Sequence, residues 1–489
     1  MYRGNRNYIF HTTLIALMVI AVLMAIRVVP SFGLLGAELR RADIVSDVVT
    51  RDTLNATEVE PESLLASAEP SHEPSPKVSV KVPERAADTL PTERKSVVRD
   101  TLISSVSSEG AADTAATARV RDGIVPIEDY SPDGSALDAF RAAMSQRDGR
   151  VVRIGVMGDS FIEGDLMTGD LRESLQSRMG GSGVGFVPIT SIVSKLRQTV
   201  AHTYSGWKTH SVRKRNGADI DGRFTISGYV YTPNDDNATV TYRVTDFKRH
   251  LKNVRLVDFF FVNKENTEIL ATVNDTTELV FTPPADDGIQ KITIASDVPV
   301  SKVKFNFKRV GGFYAYGASL GGSRGVQVDN FGDRGTSGLQ MSKLRSQTNT
   351  RFDALHPYDL IIIEYGLNVV TRGTMRYTSF EEQMSAIVAN VKACYPGASV
   401  IVMGLSDRSS NQDGVYRTMP EVKAMIRHQR AVARNAGVAY WDTFTAMGGD
   451  DSMVGFVAKR WASKDYTHVS PRGAAFIAER LADALIDAL

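Results

Sequence analysis

Val151-Val152-Arg153-Ile154-Gly155-Val156-Met157-Gly158-Asp159-Ser160 is the stretch whose reading decides the fold. It is a short apolar run broken by one charge, which predicts a strand buried on both faces of a parallel sheet. Gly158-Asp159-Ser160 ends it, and a helix is expected soon after, near Thr168 to Met179, with Leu171 and Leu175 on its apolar side. Ser160 therefore falls at a strand-to-helix turn, the place where open α/β sheets hold their ligands. A serine hydroxyl is a poor nucleophile until a base stands next to it. The Gly-x-Ser-x-Gly elbow is absent, and taken alone these three residues describe an ordinary βα turn.

Three further words lie downstream. Asp465 and His468 are three residues apart in Asp465-Tyr466-Thr467-His468. On a loop, that spacing lets the carboxylate accept from one imidazole nitrogen while the other faces Ser160, which fixes the tautomer and stabilises the imidazolium. Ser470-Pro471 then predicts a helix start, with Ser as N-cap and Pro at the first helical position. Asp359 to Tyr365 holds a second buried strand, Leu360-Ile361-Ile362-Ile363, ending at Gly366-Leu367-Asn368. The Asn368 amide can donate to a developing oxyanion. Asn330-Phe331-Gly332-Asp333-Arg334-Gly335 offers a backbone N–H at Gly335 with no Cβ in the way.

In this order, the four words resemble the SGNH/GDSL hydrolase family, and specifically its envelope O-acetylesterases and O-acetyltransferases. The resemblance covers about 126–200 and 311–489. It implies Ser160, Asp465 and His468 as the catalytic set. Ser160, Gly335 and Asn368 would form the oxyanion hole, with Asn330 as the family's second-block Asn. Gly332 and Gly338 lie close enough to compete with Gly335. Many relatives carry Asp after the third-block Asn, where this chain has Val369. The implied fold is α/β, a flavodoxin-like three-layer domain. After 370 the sequence alternates helix and strand as that requires: a helix to Cys394 opened by a Ser379–Glu382 capping box, a strand at Ser399–Leu405, a helix at Thr418–Ala436, and a strand at Val438–Trp441.

With 489 residues, more than one domain is expected. From about 201 to 310 the pattern turns to short strands punctuated by Asn, Asp, Pro and Gly, which predicts a sandwich or jelly roll of seven or eight strands. Arg255–Val262 is its strongest apolar run. The resemblance makes this insert the carbohydrate-binding-like module of peptidoglycan O-acetylesterases, with its ends close together. It is expected to fold by itself, with most of its aromatics in its core. The domain with its insert is thus expected as 123–200, 201–310 and 311–489. Gly180–Gly185 lacks the Walker lysine and the Rossmann spacing, and reads as a turn near the active-site rim.

At the N-terminus, Arg3 and Arg6 precede an uncharged apolar stretch from Tyr8 to Ile26. Residues 1–35 are expected to form a cytoplasmic tip and a single-pass anchor in a bacterial inner membrane, with the rest of the chain periplasmic. Residues 36–122, polar and Pro-rich, read as a disordered tether. Lys+Arg 57 against Asp+Glu 56 leaves a net charge of +1, so no nucleic-acid footprint is present. The single Cys394 excludes an internal disulfide. Eight histidines without ligand spacing suggest no metal, and no cofactor is expected. The expected partner is an acetylated envelope glycan, peptidoglycan first. The alternatives are acetyl transfer to that glycan, fed by a membrane O-acyltransferase, and a glycan-binding protein without catalysis.

Overall fold

The computed structural model describes residues 123–214 and 216–489, together with the backbones of strands 33–34, 37–38 and 78–85. The chain divides into two compact units, Met1–Glu73 and Pro74–Leu489. In the first, the described backbone is a small antiparallel pair, Gly33–Leu34 with Ala37–Glu38. The expected anchor at 8–26 and most of the expected tether lie outside the described residues. Among the described residues no helix is long and apolar enough to cross a membrane.

The second unit is built on a six-stranded sheet. Its parallel strands, in spatial order, are Gly325–Gly332, Val151–Gly158, Leu360–Glu364, Ser399–Met403 and Ala439–Trp441, and a short antiparallel strand at Glu128–Asp129 closes the edge. Numbered by chain order, the five parallel strands run 2-1-3-4-5, the flavodoxin-like arrangement. Ser346–Leu355, Thr378–Cys394 and Pro420–Ala436 pack on one face. Asp138–Ser145, Thr168–Met179 and Pro471–Asp487 pack on the other. Leu360–Glu364 is buried at every position, as its unbroken apolar run predicts. Cys394 lies in the core, and burial pushes its thiol up to about 11.

Two helix starts differ from expectation. Thr378–Cys394 has no side-chain cap, and Ser379 instead accepts a hydrogen bond from the Gln383 amide. Ser470 stands at the N-cap with Pro471 behind it, but its hydroxyl donates to the Arg460 carbonyl. Ser379 falls inside the helix, whose N-cap is Tyr377, and so cannot cap it.

The β region is larger and more tightly joined than 201–310. Between Gly183 and Gly321 it comprises a five-stranded sheet and six strands of a second, seven-stranded one. Val78–Arg85, inside the expected tether, adds to the larger sheet beside Asp286–Ser296. The ends are adjacent as expected: Gly183–Pro188 pairs with Phe313–Gly321, and Gly183 stands opposite Gly321. Gly180–Gly185 is therefore not at the site rim. It forms the neck where the chain enters the sandwich, beside Gly325 and Val326 at the amino edge of the parallel sheet. A Cβ on Gly181 would come within 2.3 Å of the Val326 carbonyl oxygen, and one on Gly183 within 2.3 Å of that of Leu320. Backbones this close leave no room for side chains.

Leu256–Asn263 explains the join. Phe259 and Phe261 face the sandwich interior with Phe305 and Phe307. Phe260 and Val262 alternate to the other side and share a core with Phe352, Tyr358 and Ile361 of the α/β part. A strand with both faces buried reads as a continuous apolar run. The insert is thus fused to the catalytic layers through a common core, where an independent module was expected.

Candidate active site

Strand register brings three of the four words to one edge. Gly158 is flanked by Gly332 on one side and Glu364 on the other. Ser160, Gly335 and Asn368 follow within a few residues, so all leave the carboxyl edge of the sheet together. Asn368 knots the three words: its amide donates to Asp159 Oδ2 at 2.7 Å and to the Thr336 carbonyl at 2.9 Å. Both amide hydrogens are engaged in this arrangement. The Asn330 amide donates to the Ile162 carbonyl at 2.6 Å and to Thr168 Oγ1 at 2.7 Å, which braces the turn after Ser160.

The three candidate glycines differ in what their N–H groups do. That of Gly332 donates to Asn330 Oδ1 at 3.1 Å, and that of Gly338 to Thr336 Oγ1 at 3.0 Å. The N–H groups of Gly335 and Ser160 have no acceptor among the described residues. Gly335 has φ +71 with nothing within 4 Å of a notional Cβ. Glycine is required there by the left-handed backbone, not by crowding.

The fourth word forms a compact loop before the last helix. His468 Nδ1 lies 2.7 Å from Asp465 Oδ2. Asp465 Oδ1 also accepts from Ser463 Oγ at 2.5 Å, the Thr467 N–H at 2.9 Å and the His468 N–H at 3.0 Å. Burial works against this charge, but the bonds from Ser463, His468 and Thr467 outweigh it and hold the carboxyl well below the usual range. The loop is braced from outside. Tyr466, in the left-handed region at φ 54, stacks on Tyr416 with ring centroids 3.7 Å apart, and its carbonyl accepts the Ser409 N–H at 3.0 Å. His468 lies close enough to Asp159 to favour its charge, which brings it near the turn that carries Ser160. His468 Nε2 and Ser160 Oγ make no hydrogen bond among the described residues; such contacts tighten when substrate binds.

Two carboxyls, Asp159 and Glu364, are buried beside the turn that carries Ser160. Burial pushes Asp159 up to about 6, against the Phe161 N–H and the neighbouring His468. Burial, then the Asp159 charge, raises Glu364 well above the carboxylate range. Like charges in one dry site cannot both ionise, so Glu364 is the member that keeps its proton.

The sandwich reaches this site through residues that sequence patterning did not single out. Tyr229 Oη donates to Asp333 Oδ1 at 2.9 Å, and Arg213 spans Asp333 at 3.4 Å and the Arg334 carbonyl at 3.2 Å. Arg334 in turn pairs with Glu163 at 2.7 Å. The loop carrying Gly335 is thus held from the sandwich side. These contacts cross more than a hundred residues, and no local spacing announces them. Among the described residues no group of His, Cys, Asp and Glu could hold a metal ion.

Comparison with known proteins agrees with this geometry. The family model of the GDSL-like lipase/acylhydrolase family matches residues 298–476. Comparison with curated proteins finds no match. Among solved structures, a peptidoglycan O-acetylesterase is similar over 74% of this chain and 98% of its own, at 23% identity and TM-score 0.57. A match of that extent takes in the sandwich as well as the α/β part, and it is a likeness of fold. A family two carbohydrate esterase from Cellvibrio japonicus aligns over 63% of this chain and 98% of its own at 9% identity, with a TM-score of only 0.25. Residues 298–476 are thus similar to the GDSL-like lipase/acylhydrolase family, and they carry the glycine, asparagine and histidine words of the site.

Proposed function

We propose that this chain is a serine esterase that removes acetyl groups from an envelope glycan, peptidoglycan first. One observation supports the reading: His468 is paired with Asp465 and near enough to Asp159 to favour its charge, while the N–H groups of Ser160 and Gly335 have no acceptor among the described residues. In the reaction, Ser160 Oγ attacks the acetyl carbonyl and His468 Nε2 takes its proton. The Ser160 and Gly335 N–H groups bind the oxyanion, and Asn368 joins them by turning one amide hydrogen from Asp159 or Thr336. Collapse breaks the ester, and the sugar oxygen leaves with the proton from His468. Water then attacks the acetyl-serine, its proton passing through His468, and acetate departs. The choice of glycan rests on the fold likeness to a peptidoglycan O-acetylesterase. The basic and apolar stretch before residue 27 would hold the enzyme at the envelope.

The test is incubation of the full chain with O-acetylated peptidoglycan, with Ser160→Ala as control. Acetate release that depends on Ser160 supports the esterase. Loss of acetyl groups to a second glycan without free acetate assigns the acetyltransferase instead, and no reaction in either form leaves a glycan-binding protein.

A further inference from the structure

A second cavity, of about 270 Å³, opens between the sandwich and the helix Ser346–Leu355, and no residue of the esterase site lines it. Its walls are cationic. Arg223 and Lys264 are matched, since Asp287 lies 2.6 Å from the first and 3.7 Å from the second. Arg345 and Arg351 also line it, both exposed, and neither guanidinium has a carboxylate or other hydrogen-bond partner among the described residues. Asp219 is the only other acid on the wall among the described residues, so their lining keeps an excess of positive charge.

Two further features point inward. Tyr316 lines the cavity, and its wholly buried hydroxyl has no hydrogen-bond partner among the described residues. Leaving a buried hydroxyl without a partner is costly, so it is a donor open to an acceptor. The helix Ser346–Leu355 begins at the cavity, with Gln347 and Thr348 on its wall, no side-chain cap and no acid in its first turn. Its first N–H groups and dipole favour an anion.

The position is also suggestive. The cavity lies at the end of the sandwich away from the glycine neck, where Val262 pairs with Tyr314. On the next strand, Tyr231 pairs with Ala315, and Tyr229, two residues away, reaches the catalytic loop through Asp333. A polymer chain lying across the esterase site could extend along this end.

We propose that this cavity is an oxyanion subsite, in which Arg345, Arg351, the Tyr316 hydroxyl and the helix N-terminus bind a carboxylate or phosphate group. A free carboxylate on a peptide-bearing glycan and a phosphate on an anionic glycan polymer would present the same chemistry. The proposal does not depend on the acetylesterase reading, because it concerns binding at residues that take no part in ester cleavage.

The test is isothermal titration of the full chain with N-acetylmuramic acid, which carries a carboxylate, and separately with inorganic phosphate. Saturable one-to-one binding of either probe is expected, and the tighter one identifies the source. Arg345→Ala and Arg351→Ala should each weaken it roughly tenfold, as expected for loss of a charged hydrogen-bond donor. Tyr316→Phe should weaken it less, and p-nitrophenyl acetate hydrolysis should be unchanged in all three. Binding of neither probe, or binding indifferent to both arginine substitutions, overturns the subsite. Loss of ester hydrolysis with intact binding in a Ser160→Ala protein would bear on the esterase alone.

Discussion

Asp465→Asn separates two roles of one carboxylate. Oδ1 organises the loop through Ser463, Thr467 and the His468 N–H, and Oδ2 holds the imidazole. Asparagine keeps an acceptor for the first role. In the second it presents an N–H to Nδ1, which favours the tautomer whose Nε2 carries hydrogen and cannot take the Ser160 proton. In serine hydrolase triads this swap lowers kcat by about 10⁴. Here the pair is half exposed, with side-chain exposures of 54% for His468 and 48% for Asp465. Water therefore screens the charge term, which falls toward ~1 kcal/mol, about fivefold in rate. Tautomer and orientation supply the rest, so a fall of roughly 10²–10⁴ in kcat with KM little changed is expected. The assay is p-nitrophenyl acetate hydrolysis at neutral pH, with circular dichroism to show that the fold is kept. Asp465→Ala loses the loop bonds as well and should be at least as damaging. A kcat for Asp465→Asn within about threefold of the unaltered chain would refute the reasoning, since a competent triad carboxylate cannot be this dispensable.

Ser160→Ala should abolish acetyl-enzyme formation, read by mass spectrometry after brief exposure to substrate; a +42 Da adduct on that variant would move the nucleophile elsewhere. Gly335→Ala meets open space but must hold a left-handed φ, a strain of about 1–2 kcal/mol. It should lose activity modestly and regain part of it on cooling, whereas a loss as large as that of Ser160→Ala would show crowding instead. Glu364→Gln replaces a carboxyl whose folded pKa is raised by burial and Asp159. A raised carboxyl weakens the fold once pH climbs above its unfolded value near 4, so the Gln variant should melt higher than the parent at pH 8 and alike at pH 4; equal melting at both would deny the buried pair. Removing 201–310 with a short linker should yield insoluble protein, because Phe260 and Val262 share a core with Phe352 and Tyr358; a soluble, active remainder would show the sandwich to be dispensable.

The sheet of the catalytic part was legible because its strands are short unbroken apolar runs and its helices carry clear stops at Gly180 and Gly437. Four local words named the candidate site residues, because a paired Asp–His loop and a strand-end serine each fit within a few residues. What stayed hidden depends on distant pairing. Gly180–Gly185 signals close backbone approach but not to what, and only the register with Phe313–Gly321 shows it to be the neck. Arg255–Val262 reads as buried without revealing that its two faces belong to different parts. Tyr229, Arg213 and Tyr416 touch the site through contacts no periodicity encodes. The engagement of Asn368 with Asp159 and Thr336 likewise emerges only once three strand ends meet.

The alternation of Phe259, Phe260, Phe261 and Val262 between two interiors has an evolutionary consequence. A domain attached by a linker can be exchanged or lost in one recombination event, because each piece remains whole. Here a single strand is the wall of both rooms, so neither could be replaced without exposing the other's hydrophobic lining to water. Homologues should therefore inherit sandwich and hydrolase as one unit, and substitutions at Phe260 should be matched by compensating changes at Phe352 across the seam.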